Sequence, residues 1–310
     1  MYKALLIGCG NIGALYDIDK DSVLTHAKAY HLSENFKLFI YDTNIEAANR
    51  VAAKYNATVV QDIFNEKFYK YDCISIASPT VTHFDILKKA ITERVKVVLC
   101  EKPITYKSSE LLDLENLYKL SSTKIIVNYI RRFQEKYSIL KSTIDKCFPN
   151  TLPNEIVIRY TRGFANNCSH ALDTLSFLLN KDTNLDVQVE SSPVFDAFEK
   201  DPTVSLKGFW NEIPIYCQGL INVEYPLFEI ELIYTAGYVS IRNSGNTIEV
   251  FERRKTDSYL LPLIQMENCI KDYMIPVVDN VFRILDGEIE RDNFIESINM
   301  NKEVLRVINL

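Results

Sequence analysis

Five residues into the chain an apolar run, Leu5-Leu-Ile7, passes straight into Gly8-Cys-Gly-Asn-Ile-Gly13. A hydrophobic strand delivered into a GxGxxG loop constrains the fold more than any other stretch, because glycines at this spacing answer three separate steric demands. Gly8 permits a tight turn out of the strand, Gly10 lets the main chain approach a pyrophosphate, and Gly13 lets the following helix pack closely on the sheet. The first turn of that helix, through Asn11 and Ile12, then turns unpaired N–H groups and the positive end of its dipole toward an anion. The motif alone is a weak signal, and its context strengthens it. A second strand candidate, Lys37-Leu-Phe-Ile-Tyr41, ends in Asp42, where a carboxylate can accept hydrogen bonds from an adenine ribose. Asp42 lies 29 residues beyond Gly13, against roughly 20 in the usual spacing. The polar stretch Tyr16–Thr25 accounts for the excess as an added loop, after which His26-Ala-Lys-Ala-Tyr30 resumes a helix.

The first 128 residues alternate strand and helix, the pattern of a parallel sheet covered on both faces. Strands are expected at 3–7, 37–41, 58–60, 72–77, 95–99 and 124–128, with helices over Ile45–Tyr55, Val81–Thr92 and Ser108–Leu120. Thr80 and Ser108-Ser-Glu110 read as helix starts. Beyond residue 129 the rhythm changes to one or two helices and then successive strands, at Glu155–Thr161, Asp186–Glu190, Val204–Trp210, Ile213–Ile221, Leu227–Tyr234, Tyr238–Arg242 and Thr247–Glu252. Thr235-Ala236 reads as a hairpin turn. Two helices, about Ile264 to Asp286 and Asp292 to the C-terminus, close the chain. Consecutive strands without intervening helices imply an antiparallel or mixed sheet. The expected architecture is a Rossmann domain over 1–128 and an α+β domain with an open, mostly antiparallel sheet over 129–310, a division that a length of 310 residues allows.

Composition narrows the function classes. A net charge of −6 without a Lys/Arg cluster argues against nucleic-acid partners. No apolar segment approaches the ~18 residues that span a bilayer, and the N-terminus lacks the basic flank of a secretion signal. Seven scattered cysteines without CxxC pairs point to reduced thiols, no structural zinc and a cytoplasmic setting.

Five motifs in order, Gly8-Cys-Gly-Asn-Ile-Gly13, Ser78-Pro-Thr-Val-Thr-His83, Glu101-Lys-Pro103, Asn128-Tyr-Ile-Arg-Arg-Phe133 and Ser169-His-Ala-Leu-Asp173, resemble the Gfo/Idh/MocA family of nicotinamide-dependent oxidoreductases. The resemblance implies a catalytic lysine at Lys102, a histidine near the reacting carbon at His170, and His83 close to the cofactor or engaged in packing. It also implies that Glu101, Ser78 and Thr80 line the nucleotide. An ammonium at a strand's carboxyl end suits stabilisation of an alkoxide, and an imidazole suits removal of the hydroxyl proton. Asp173, three residues beyond His170 on the same helical face, can orient that ring or hold a substrate hydroxyl. The chain departs from the family at Asn166, where an aspartate is usual, and at Cys168, where a glycine is. Asparagine hydrogen-bonds but carries no charge to raise the histidine's basicity.

Arg131, Arg132, Tyr160 and Arg162 flank the expected crevice, either as substrate contacts or as inter-domain salt bridges. Strands such as Pro226–Tyr234 read as apolar on more than one face, which suggests a homodimer or homotetramer formed through the second sheet. The function implied is hydride transfer between NAD and a secondary hydroxyl or ketone of a sugar, cyclitol or nucleotide sugar. NADP is less favoured because Asp42 repels a 2′-phosphate. Two alternatives stand beside it: a glycosidase or lyase using transient oxidation, and a non-catalytic NAD-binding sensor or interaction protein.

Overall fold

A computed structural model of the chain describes residues 1–253, 259–289 and 291–309. Its contacts divide it into two compact units, Met1–Ile130 with Asp272–Ile298, and Arg131–Lys271 with Asn299–Leu310. A single cut after residue 128 therefore leaves out a late segment that packs with the first unit.

In the first unit, strands β1 (Tyr2–Ile7), β2 (Phe36–Tyr41), β3 (Thr58–Val59), β4 (Cys73–Ile76), β5 (Val97–Cys100) and β6 (Lys124–Val127) form one sheet in the order β3-β2-β1-β4-β5-β6. Every pairing is parallel. β4 and β5 have every residue buried, as strands covered on both faces must. Helix α1 (His26–Leu32) starts at Thr25, whose hydroxyl accepts from the Lys28 amide. The loop before it is ordered by Asp17, fully buried, whose carboxylate accepts from the Thr25 amide (2.9 Å) and hydroxyl (2.7 Å). Helix α2 (Ile45–Tyr55) spans the residues its apolar stripe delimits and is capped by Asn44 Oδ1, which accepts from the Glu46 and Ala47 amides.

Helix α3 (His83–Thr92) begins later than the sequence suggests because Thr80–Thr82 tighten into a 3₁₀ turn. Thr80 is accordingly not the cap; the cap is Thr82, whose hydroxyl donates to Pro79 O (2.8 Å). Helix α4 (Ser108–Lys119) has Lys107 at its cap position, and Glu110 in its first turn accepts from Lys107 Nζ (2.8 Å). The edge strand β6 is closed by side chains of the late segment. Asp292 accepts from the Ile125 amide (2.9 Å), and Asn293 both accepts from the Val127 amide and donates to its carbonyl (2.8 and 2.9 Å). Such pairing removes the exposed edge that invites aggregation.

The second unit carries helices α5 (Glu135–Cys147) and α6 (Ser169–Leu179) and ten strands: β7 (Glu155–Tyr160), β8 (Leu185–Val189), β9 (Val194–Phe198), β10 (Asp201–Thr203), β11 (Leu206–Trp210), β12 (Ile213–Gly219), β13 (Phe228–Tyr234), β14 (Gly237–Arg242), β15 (Thr247–Glu252) and β16 (Leu261–Met266). Eight form a mixed sheet in the order β16-β15-β14-β13-β7-β12-β11-β8, antiparallel except for β12 beside β7. β9 and β10 form a separate hairpin. The Tyr234–Gly237 pair brackets the expected two-residue turn.

Two readings of the sequence are corrected here. The run from Ile264 belongs to a strand, and the helix covers only Met274–Leu285. β16 sits at the sheet edge, where Pro262 is tolerated, and its apolar residues suit either period. β13 does not expose apolar residues evenly on both faces: Phe228, Ile230, Leu232 and Tyr234 are buried, while Glu229 and Glu231 meet Arg159 at 3.5 and 3.0 Å on the other face. The last helix covers Phe294–Ile308, and residue 310, assigned to it from sequence, lies outside the described residues. All seven cysteines are free thiols, and no described helix is long and apolar enough to cross a membrane.

Candidate active site

The strand order reverses between β1 and β4, so their carboxyl ends open a crevice at the point where open parallel sheets bind ligands. Backbone hydrogen bonds carry the sheet one residue beyond these strand ends. Gly8 N bonds Tyr41 O (2.9 Å), Ala77 N bonds Ile7 O (2.8 Å), Glu101 N bonds Ile76 O (2.9 Å) and Asn128 N bonds Cys100 O (2.8 Å). The residues lining this edge are therefore set by the sheet itself.

Gly8 has a φ of +103°, and a Cβ there would lie 2.7 Å from Ala77 and Ser78 backbone atoms. A Cβ on Gly13 would come 2.1 Å from Gly8 O, whereas one on Gly10 would meet nothing within 4 Å. The first and third glycines thus close the loop on itself, and the second leaves its outer side open. Asn11–Leu15 form one wide π turn instead of a long α-helix, with Ala14 N and Leu15 N both bonded to Gly10 O at 2.9 and 3.1 Å. Asp42 Oδ2 accepts from Cys9 N (2.7 Å) and Oδ1 from Asn44 N (2.8 Å). A carboxylate offers about four acceptor positions, so two remain for ribose hydroxyls. Burial, and then the Asp42 charge, push the Cys9 thiol up to about 12, keeping it protonated beside the cradle. The open Gly10 face and the tethered acid fit a dinucleotide.

Next along the edge, Ser78 Oγ lies 2.7 Å from Thr82 Oγ1, and half-buried Thr80 sits between them in the chain. His83 is buried, with Nε2 2.9 Å from Ser78 O and Nδ1 3.0 Å from Pro103 O. Burial pushes its imidazole below the ordinary value, while the facing carbonyls pull the other way. His83 thus braces the Ser78 loop against the turn carrying Lys102, which is half-buried and followed by a cis peptide to Pro103.

Behind Lys102 is a cluster that the sequence did not reveal. Glu101 Oε1 meets His26 Nε2 (2.9 Å) and accepts from Asn128 Nδ2 (2.6 Å). His26 carries no motif of its own and is separated from Glu101 by 75 residues, so only the fold brings the pair together.

The second unit holds the remaining candidates. His170 is half-buried in the first turn of α6, just after a π turn, Phe164–Cys168, that carries Asn166. Asn166 Nδ2 donates to the carbonyl of exposed Arg162 (3.2 Å). Asp201, on β10 and 2% exposed, accepts from the Ala165 and Asn166 amides, both at 2.7 Å. It anchors the turn from a short hairpin that no sequence pattern announces.

Three expected substrate contacts are otherwise engaged. Tyr160 is fully buried, its hydroxyl donating to Val204 O (2.6 Å) and accepting from Val204 N (3.1 Å), which removes it from the substrate contacts. Arg131 is 6% exposed, donates to Ser244 O (2.7 Å) and lies 3.9 Å over the Phe228 ring, an anchor within the second unit. Asp173 is held by Arg132, whose Nη2 and Nε donate to it at 2.6 and 3.1 Å, so its charge is matched by a half-buried guanidinium. No group of three or more His, Cys, Asp or Glu placed to hold a metal ion occurs among the described residues.

A doubly wound parallel sheet with a glycine cradle at its switch point, joined to a mixed sheet, defines a two-unit protein of the dinucleotide-binding class. Residues 2–129 match the model of an oxidoreductase family with an NAD-binding Rossmann fold, Gfo/Idh/MocA. It is 24% identical over 191 residues to an inositol 2-dehydrogenase of Rhizobium meliloti (strain 1021), covering 57% of this chain and 54% of that protein. A second inositol 2-dehydrogenase, from Pseudarthrobacter chlorophenolicus, is 39% identical over 74 residues, 24% of this chain and 22% of that one. The chain thus aligns with about half the length, or less, of these curated relatives. The fold matches UDP-N-acetylglucosamine 3-dehydrogenase GnnA from Acidithiobacillus ferrooxidans with a TM-score of 0.77 at 18% identity, covering 98% of this chain and 96% of that one.

Proposed function

We propose that the protein is an NAD-dependent dehydrogenase acting on a secondary hydroxyl or ketone of a sugar, cyclitol or nucleotide-linked sugar. The observation that carries this reading is the carboxyl edge of the first sheet, where the open glycine after β1 and the acid after the adjacent β2 share one edge with the amine after β5, two strands from β1 on its other side. Relatives named as inositol and UDP-N-acetylglucosamine dehydrogenases support the substrate class. NAD, when bound, supplies the hydride acceptor. Gly8, Gly10, Asn11, Ile12 and Gly13 hold the pyrophosphate through main-chain groups, Asp42 takes the adenine ribose, and Ser78, Thr80 and His83 shape the adjoining wall, while Glu101 supports Lys102 from behind. The Lys102 ammonium stabilises negative charge on the reacting oxygen, and His170 takes the hydroxyl proton. Asn166 and Arg162 offer hydrogen bonds to the substrate. Since Asp42 repels a 2′-phosphate, NAD is preferred to NADP.

The test is a panel of polyols, sugar acids and nucleotide sugars assayed by absorbance of reduced nicotinamide. Lys102→Ala and His170→Ala are expected to lower kcat about 100-fold or more on the active substrate while NADH binding is retained. NADH binding without turnover on any of them moves the reading to a sensor or interaction protein. Product formed without net cofactor reduction moves it to transient oxidation. A strong preference for NADP overturns the role given to Asp42. The free thiols agree with a cytoplasmic site of action.

A further inference from the structure

His26 itself has no part in the proposal above, although its partner Glu101 directly precedes the residue on which that proposal turns. Four elements converge there. α1 contributes His26 and Tyr30, β4 contributes Ser75 and Cys73, the end of β5 contributes Cys100 and Glu101, and the end of β6 contributes Asn128. His26, Tyr30, Ser75 and Cys73 are fully buried, Asn128 is 1% exposed and Glu101 9%. Around His26, Nε2 meets Glu101 Oε1 at 2.9 Å and Nδ1 faces Ser75 Oγ at 3.3 Å. Ser75 Oγ is 3.0 Å from Tyr30 OH, which lies 3.3 Å from Cys73 Sγ. Asn128 Nδ2 adds 2.6 Å to the same carboxylate oxygen and 3.4 Å to Met274 Sδ of the late helix.

A buried carboxylate is tolerated only when its charge is matched and its lone pairs are used. Burial pushes Glu101 up, but the His26 and Asn128 hydrogen bonds and the charges of His26 and Lys102 outweigh it and hold the carboxyl below the ordinary range. The remaining titratable neighbours are the buried Cys100 thiol, which burial keeps protonated, and His83, which burial keeps neutral. The ionised acid is therefore held by a hydrogen bond to an imidazole within the core and by the charge of the next residue's ammonium.

We infer that His26 is a positioning residue for Lys102: its imidazole holds the Glu101 carboxylate in place and ionised, and that buried negative charge keeps the neighbouring ammonium charged and oriented at the sheet edge. The inference rests on Lys102 as the group that polarises the substrate oxygen. Without the imidazole, the acid loses a hydrogen-bond donor in a buried setting and takes up a proton, and Lys102 then loses its counter-charge.

The test reads Lys102 directly, without substrate or coenzyme. The pH dependence of its acetylation by a short acetic anhydride pulse is followed by mass spectrometry of the peptide that contains it. In His26→Leu and Glu101→Gln the midpoint of Lys102 reactivity is expected about one pH unit lower than in the parent protein. His26→Gln, which keeps a donor, is expected in between, and His31→Gln, on the far side of α1, unchanged. On the active substrate, His26→Leu is expected to lower kcat about tenfold at neutral pH, with the coenzyme KM within about twofold. If His26→Leu does not fold, Glu101→Gln carries the same expectation with no change of side-chain size. Folded variants whose Lys102 profile matches the parent overturn the inference, whatever the turnover. A shifted profile in a protein that turns over no sugar leaves the pairing in place and overturns the dehydrogenase reading instead.

Discussion

His83 shows how one buried side chain ties local geometry to pH. Its imidazole is pushed below the ordinary 6.5 by burial, so the unfolded chain takes up this proton at a higher pH than the folded one. The stability linked to His83 is present in full above about pH 6.5 and is lost as the pH falls toward the folded value, at up to about 1.4 kcal/mol per pH unit. Urea unfolding between pH 7.5 and 5.5 is expected to show this loss in the parent protein and a flatter profile in His83→Asn. A parent profile as flat as the variant's removes the effect assigned to burial. The histidine was legible from its motif, but its two carbonyl partners were not, because main-chain oxygens from a loop and a cis turn meet there only in the folded sheet. For Glu101 and His26 the gap is wider still. A motif marks the acid, nothing local marks the base, and 75 residues separate them.

At the scale of elements, the glycine loop separates two kinds of constraint. Gly13→Ala places a methyl group against Gly8 O and is expected to destabilise the protein by about 1–3 kcal/mol. Gly10→Ala meets open space, so unfolding is expected to stay within about 0.5 kcal/mol of the parent apart from the backbone term, while NADH binding weakens about tenfold or more. Equal losses of stability in the two variants, measured by urea denaturation, contradict this division. The β9–β10 hairpin acts by a different route, since Asp201 supplies the acceptors for two amides of the turn that carries Asn166. Asp201→Ala leaves the buried Ala165 amide and the half-buried Asn166 amide without that carboxylate and is expected to cost about 3 kcal/mol in the same assay. A loss below about 1 kcal/mol means that the turn holds itself. Strands with a clean alternation, such as β13, were readable from sequence. The hairpin and β16 were not, because strands of five and three residues are too short to display a hydrophobic period and an edge strand containing proline resembles a loop or a helix start.

For the whole molecule, the outer face of the second sheet frames the question of assembly. Phe209 is 47% exposed there, and Arg159 is paired with Glu229 and Glu231 on the same sheet. We propose that two copies associate through this face, with a tetramer as the next level, because a broad sheet that exposes a large aromatic side chain is most economically covered by its like. Light scattering at micromolar protein is expected to give at least twice 35.8 kDa, with Phe209→Glu shifting it toward the monomer. A parent protein of monomer mass excludes the association. From the linear chain alone come the parallel sheet and the glycine cradle with its acid, because these depend on short-range periods and on backbone demands that only certain residues meet, while the candidates Lys102 and His170 come from the motifs that resemble a known family. Tertiary structure alone decides that Tyr160 and Arg131 serve the interior, that Asp173 is matched by Arg132, and that residues 272–298 complete the first unit. It also decides that Glu101 rests on His26 and the Asn166 turn on Asp201, since burial and long-range pairing, which set the charge state and partners of these groups, exist only once the chain has closed on itself.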